Sequence, residues 1–118
     1  MAKILVADDA YFVRIKSRNF LEQHGHEVIE AENGRRALEL YEEYQPDLVF
    51  SDITMPDMDG LDFLKAVMVK YPDAKVVMLT SRSEQSVLIE ALSVGAKNYL
   101  VKPFDEAKVL ELIKTILG

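Results

Sequence analysis

Four separate segments each deliver a chemically capable polar residue at or just after the end of an apolar run. Asp8 and Asp9 follow Ile4 to Ala7, and Asp52 follows Asp47 to Ser51. Thr80 closes Lys75 to Thr80, and Lys102, with Pro103 next, closes Asn98 to Lys102. Singly, each has an ordinary structural explanation: an aspartate after a strand caps a helix, Ser81 with Glu84 spells a capping box, and Asp57-Met58-Asp59-Gly60 spells a turn. Brought to one rim, the three carboxylates would repel each other, so such a site needs a cation or a bound proton. Oxygen donors without His or Cys select magnesium, manganese or calcium, and few carboxylates with room for waters and a phosphoryl group suit Mg2+ best. Thr80 and Lys102 then serve as donors to phosphoryl oxygens, because phosphoryl transfer needs positioning and charge neutralisation more than covalent machinery. Asp52 is the remaining nucleophile.

The elements that must position these residues follow from hydrophobic periodicity. Five strand candidates, the four runs above and Glu27 to Ala31, alternate with helical patterns. The first, third and fourth are nearly continuous in apolar residues, as strands covered on both faces are, whereas Glu27-Val28-Ile29-Glu30-Ala31 suits an edge. The last helix is the clearest, with Val109, Leu112, Ile113, Ile116 and Leu117 on one face after Asp105 as N-cap. Leu61, Leu64, Met68 and Tyr71 make the third helix's stripe, ended by Pro72. Leu88, Ala91 and Leu92 make the fourth's, ended near Gly95, and the second uses Leu38 and Tyr41. The first spans about Ala10 to His24 with Gly25 as C-cap, and its Val13, Phe20 and Leu21 share a face with Ser17 and His24. Strand then helix, five times, predicts an open α/β sandwich with a parallel sheet, whose ligands bind beyond the carboxyl ends of the strands.

Bulk composition narrows the function classes. The 118 residues, 49% hydrophobic, suffice for one domain over 1–118 with a single core and no separate output domain. No cysteine is present, so a disulfide framework and a thiolate metal site are both excluded. Fourteen Lys and Arg against 20 Asp and Glu leave a net charge of -6, with no basic run to follow a nucleic acid backbone. Only four consecutive apolar residues precede Asp8 near the N-terminus, too few for a signal sequence or membrane span, so a cytoplasmic location is expected.

The acidic pair Asp8-Asp9, the stretch from Asp52 to Gly60, Thr80-Ser81, and Tyr99-Leu100-Val101-Lys102-Pro103-Phe104 occur in the order and spacing of a known family. The chain resembles the receiver domains of two-component response regulators, chemotaxis-type stand-alone receivers included, over its whole length. The resemblance implies a three-layer, flavodoxin-like α/β/α fold with five helices and a five-stranded sheet of order 2-1-3-4-5. It implies that Asp52 accepts phosphate from a phosphohistidine on a sensor histidine kinase or phosphotransferase. Asp9 and Asp52 would bind Mg2+ (or Mn2+) directly, Asp8 through water, and Thr54 through its backbone carbonyl. Thr80 and Lys102 would contact the phosphoryl group. Movement of Thr80 would let Tyr99 turn inward and reshape the surface of the fourth helix, fifth strand and fifth helix for a downstream protein, and Pro103 would follow a cis bond. A monomer that is not an enzyme, beyond its own phosphorylation and slow dephosphorylation, is expected. Ala10, Ser81 and the Lys16-Ser17 pair depart from the usual pattern. Ser81, Arg82 and Thr54 bear on how water reaches an acyl phosphate, so its lifetime is left open.

Competing readings make distinct demands. A phosphatase of the haloacid dehalogenase type also uses an Asp nucleophile and magnesium, but carries a second Asp two residues later, where this chain has Thr54, and encloses substrate under an inserted cap. A passive docking module would not need all five reacting residues. A flavin site would need a phosphate cradle where the chain has Asp8-Asp9-Ala10-Tyr11. His24 and His26 lie at the opposite end of the sheet and are expected in surface or cap roles. An EF-hand frame on Asp57 and Asp59 puts Met55 and Ala66 at ligand positions, which rules it out.

Overall fold

Periodic runs become alternating strands and helices in the computed structural model, which describes residues 1–118. In chain order these are β1 (Lys3–Ala7), α1 (Tyr11–Gln23), β2 (Glu27–Ala31), α2 (Gly34–Tyr44), β3 (Leu48–Asp52), α3 (Gly60–Lys70), β4 (Val76–Thr80), a 3-10 turn (Arg82–Glu84), α4 (Gln85–Val94), β5 (Asn98–Val101) and α5 (Glu106–Leu117). The strands form one parallel sheet of order β2-β1-β3-β4-β5.

Successive residues of a strand face opposite sides of a sheet, and this divides the core in two. Leu5, Val49, Val76 and Met78 pack beneath α2, α3 and α4 with Leu40, Phe63, Leu64, Val67 and Leu88. Ile4, Val6, Phe50, Val77 and Leu79 pack on the other side with Leu21 of α1 and Val109, Leu112 and Ile113 of α5. The result is the expected three-layer sandwich. β3 and β4 are buried throughout, while β2 is partly solvated at the edge, as its glutamates predict. The chain reverses its winding between β1 and β3, the switch point beyond whose carboxyl ends such sheets bind their ligands.

Local chemistry explains several boundaries. Asn33, Asp59 and Asp105 begin α2, α3 and α5, their side chains accepting from the backbone N–H groups of Arg36, Asp62 and Ala107. α3 stops at Lys70 because Tyr71, preceding Pro72, is pushed out of the helical region to φ -130 and ψ 79. Two expectations need correction. The C-cap of α1 is His24, and Gly25 lies one residue beyond it at φ 85, the left-handed position that favours glycine. Val13 of α1 and Leu92 of α4 are exposed, so α1 meets the core through Leu21 and Phe20 alone of its expected stripe, and Val87 and Val94 pack there from α4 beside Leu88 and Ala91. The expected Ser81–Glu84 capping box is present and opens the turn Arg82–Glu84, after which α4 begins at Gln85. No helix is long and apolar enough to cross a membrane.

Candidate functional site

The ends of β1, β3, β4 and β5 bring Asp8, Asp52, Thr80 and Lys102 to one rim. β1 continues its ladder through Asp8, whose N–H donates to the Ala31 carbonyl at 3.0 Å, so its side chain is fixed by the sheet. One oxygen of that carboxylate accepts from the N–H of Ala10 at 2.9 Å and the other from Lys102 Nζ at 3.0 Å. Asp9, the next residue, projects into solvent. Asp52 belongs to β3 itself and pairs in register with Leu79. Asp8, Asp52 and Thr80 are only 1%, 8% and 2% exposed.

Two glycines hold the segment after Asp52 in place. A Cβ on Gly60 would lie 1.8 Å from the Asp52 carbonyl oxygen, and the Gly60 N–H donates to the Ile53 carbonyl at 2.7 Å. A Cβ on Gly34 would lie 2.2 Å from the Met58 carbonyl oxygen, to which the Gly34 N–H donates at 2.7 Å. The first turns of α2 and α3 therefore grip the loop that carries Thr54, and Arg35 adds an ion pair to Asp57 at 3.0 Å.

Electrostatics of the rim are unbalanced. Lys102 Nζ stands 3.0 Å from Asp8 and 3.0 Å from Asp52, while carboxylate oxygens of Asp8, Asp9 and Asp52 all lie within 4.8 Å of one another. Three carboxylates thus share one ammonium, a deficit of two charges. Burial, with the charges of Asp8 and Asp9 adding to it, pushes the Asp52 carboxyl up to about 6 although Lys102 works against the shift. Burial alone would lower the Lys102 pKa, but its bonds to Asp52 and Asp8 more than offset this and hold it above the usual lysine range. The missing charge is that of one divalent cation, and the all-oxygen donor set fits a hard ion. Asp8 has both oxygens engaged by protein donors, whereas Asp9 is exposed to solvent.

The remaining expected residues divide. Thr80 donates its hydroxyl to the Ser81 carbonyl at 3.0 Å rather than to Asp52. Thr54 is exposed at the rim, Tyr99 is 43% exposed, and the Lys102-Pro103 bond is cis. The two histidines have structural roles: a ring nitrogen of His24 meets the Phe20 carbonyl at 3.0 Å, and Nδ1 of His26 accepts from the Ala2 N–H at 3.1 Å.

Sequence reasoning missed two residues of the site. Arg14 donates to the Asp8 carbonyl at 2.7 Å and to Glu30 at 3.0 Å, bracing the acidic pair from α1. Glu84 sits between Thr54, Thr80 and Ser81 as an acceptor. Burial would raise its pKa, but bonds from Thr54 and Ser81 and the nearby Lys102 charge hold it below the usual carboxylate range. The Ser81-x-x-Glu84 spacing signalled a cap; nothing local linked it to Thr54, 30 residues away in sequence.

Residues 4–114 match the response regulator receiver domain family. The chain is 44% identical over 115 residues to a chemotaxis protein CheY of Listeria monocytogenes, covering 97% of each, and 45% identical over 117 residues to a chemotaxis protein CheY of Bacillus subtilis, covering 98% of each. The crystal structure of a response regulator receiver domain protein from Clostridium thermocellum superposes with a TM-score of 0.95 at 30% identity, over 99% of this chain and 94% of that one.

Proposed function

The chain belongs to the response regulator receiver domain family, and from that premise we propose that Asp52 is its phosphoacceptor, loaded by a phosphohistidine of a sensor kinase or phosphotransferase. The observation that carries this reading is the buried Asp52 carboxylate, 3.0 Å from Lys102 Nζ, in a rim short of two positive charges. One Asp52 oxygen bonds to phosphorus as the donor's P–N bond breaks and its imidazole leaves. Lys102 neutralises charge on the transferring group, and Thr80, released from Ser81, donates to a phosphoryl oxygen. Asp9, Asp52 and the Thr54 carbonyl would hold Mg2+, with Mn2+ as a substitute, and Asp8 would orient a bound water. The ion supplies neutralisation of the acceptor and phosphoryl oxygens.

The added charge of about -1.5 to -2 then biases the loop bearing Thr80. Tyr99 turns inward, and the face formed by α4, β5 and α5, where Ile89, Tyr99 and Val101 are exposed, changes its affinity for a protein target. The relatives named as chemotaxis proteins support signalling of that kind; we place the chain in the cytoplasm as a monomer, and its net charge of -6 without a basic run argues against direct nucleic acid contact. The protein is a switch rather than a turnover enzyme. Incubation with acetyl phosphate and Mg2+ is expected to give one base-labile, hydroxylamine-sensitive phosphoryl group per chain. None should form in Asp52→Asn or with chelator, and equal labelling of that variant overturns the assignment. Multiple turnover on small phosphoesters would return the phosphatase reading to favour.

A further inference from the structure

Between the loop after β3 and the loop after β4 runs one side-chain hydrogen bond, and the carboxylate that accepts it also gathers the start of the second loop. Glu84 Oε2 accepts from the Thr54 hydroxyl at 2.5 Å. Its Oε1 accepts from the Ser81 N–H at 2.8 Å and the Ser81 hydroxyl at 3.1 Å, and lies 3.5 Å from the Thr80 hydroxyl. Thr80 itself donates to the Ser81 carbonyl. Glu84 thus holds Thr54 directly and holds Ser81, whose carbonyl takes the single proton of the Thr80 hydroxyl, while no hydrogen bond joins it to Asp52.

We propose that Glu84 is a positioning residue, a clasp that keeps Thr80 and Thr54 in the unphosphorylated arrangement and so sets how readily the switch responds. The inference rests on the phosphoacceptor reading of Asp52 and adds to it the contact that must break when that site is loaded. Its physical basis is a competition for one hydroxyl. Thr80 has one hydroxyl proton and cannot give it to a phosphoryl oxygen while the Ser81 carbonyl, in a residue Glu84 holds in place, accepts it. Moving the Thr80–Ser81 segment toward Asp52 also draws Ser81 away from an acid still anchored to Thr54. A phosphoryl group brings negative charge toward Glu84, so repulsion favours opening the clasp in the loaded state. Bonds to an ionised acceptor are stronger than neutral ones, so losing one should change the balance of the two arrangements by about tenfold.

The test compares the full chain with Glu84→Gln, Glu84→Ala and Thr54→Val by amide NMR, with and without Mg2+ and beryllofluoride as the phosphoryl mimic. In the unsubstituted chain, Thr80 and Tyr99 signals should shift on adding the mimic. In Glu84→Ala without mimic, the same signals should already lie displaced along that line, and less mimic, by about tenfold, should complete the shift. Thr54→Val should do the same in part, and Glu84→Gln, which keeps an acceptor for the Ser81 N–H, should fall between Ala and Glu. Signals that stay at the unloaded positions in Glu84→Ala, with an unchanged mimic titration, overturn the clasp, even if that variant melts lower. No shift in the unsubstituted chain overturns the phosphoacceptor reading, and the clasp with it.

Discussion

Lys102 Nζ lies 3.0 Å from a carboxylate oxygen of Asp8 and 3.0 Å from one of Asp52, so a single ammonium joins the ends of β1, β3 and β5. Removing one partner of a buried ion pair leaves the other charge uncompensated, which costs about 3 to 5 kcal/mol where water is excluded. The lysine side chain is 27% exposed, so a smaller loss, about 1 to 2 kcal/mol, is expected for Lys102→Met. Urea denaturation without metal measures it. Saturating Mg2+ should recover a larger share of stability in this variant than in the unsubstituted chain, because the ion would supply the charge the variant lacks. An equal gain in both proteins would show that the carboxylates do not depend on Lys102 for compensation.

Asp52 gives the pH dependence. Its folded value of about 6 lies above the ordinary 3.8, so ionisation disfavours the metal-free fold. The neutral form's contribution is complete below 3.8 and is lost as pH rises through about 6. Asp52→Asn cannot ionise, so its stability advantage over the unsubstituted chain should grow from pH 4 to 6 and level off above that, reaching at most about 3 kcal/mol. Paired denaturation curves across this range check the sign, and Mg2+ should shrink the difference at pH 7. A difference that falls with rising pH would contradict the crowded-carboxylate account.

Gly60 is close to irreplaceable on steric grounds. A Cβ there would sit 1.8 Å from the Asp52 carbonyl oxygen, a backbone atom that cannot rotate away. Gly60→Ala should therefore force α3 from the end of β3 and cost about 3 kcal/mol or more, as severe overpacking does. Thermal denaturation gives the loss, and a Mg2+ titration of the folded fraction should show weaker binding, since the displaced loop bears Thr54. Ordinary stability in Gly60→Ala would mean that the helix start has room to shift.

The order of strands and helices was legible because burial on both faces writes apolar runs into β1, β3 and β4, while the amphipathic stripe of α5 writes a helical period. Asp8, Asp9, Asp52, Thr80 and Lys102 were legible because a parallel sheet collects its strand ends at one rim. Val13 and Leu92 misled because periodicity reports an apolar residue without reporting whether a neighbouring element covers it, and both lie at the margin of their stripes. Glu84 and Arg14 were not legible. Each acts through a partner fixed only by tertiary packing, Thr54 for the first and the Asp8 backbone for the second.

Arg14 offers a test of how firmly the acidic pair must be held. Its guanidinium donates at 2.7 Å to the Asp8 carbonyl and at 3.0 Å to Glu30, tying α1 to the end of β1 and to β2, and its side chain is 11% exposed. Arg14→Lys retains the charge but cannot span both acceptors with a planar fork, so it should weaken the brace almost as much as Arg14→Ala. Either change is expected to lower stability by about 1 to 2 kcal/mol through the lost charge-assisted bonds. The more telling readout is metal affinity. If the Asp8-Asp9 backbone must be fixed for Asp9 to reach the ion, Mg2+ binding should weaken by about tenfold or more, as when outer partners of metal ligands are removed. Removing Glu30 by Glu30→Gln should reproduce part of the stability loss with little effect on Mg2+, because Arg14 would keep its bond to the Asp8 carbonyl. Equal loss of Mg2+ affinity in Glu30→Gln and Arg14→Ala would instead place the brace in the Arg14–Glu30 pair as a unit, with the Asp8 carbonyl contact secondary to it.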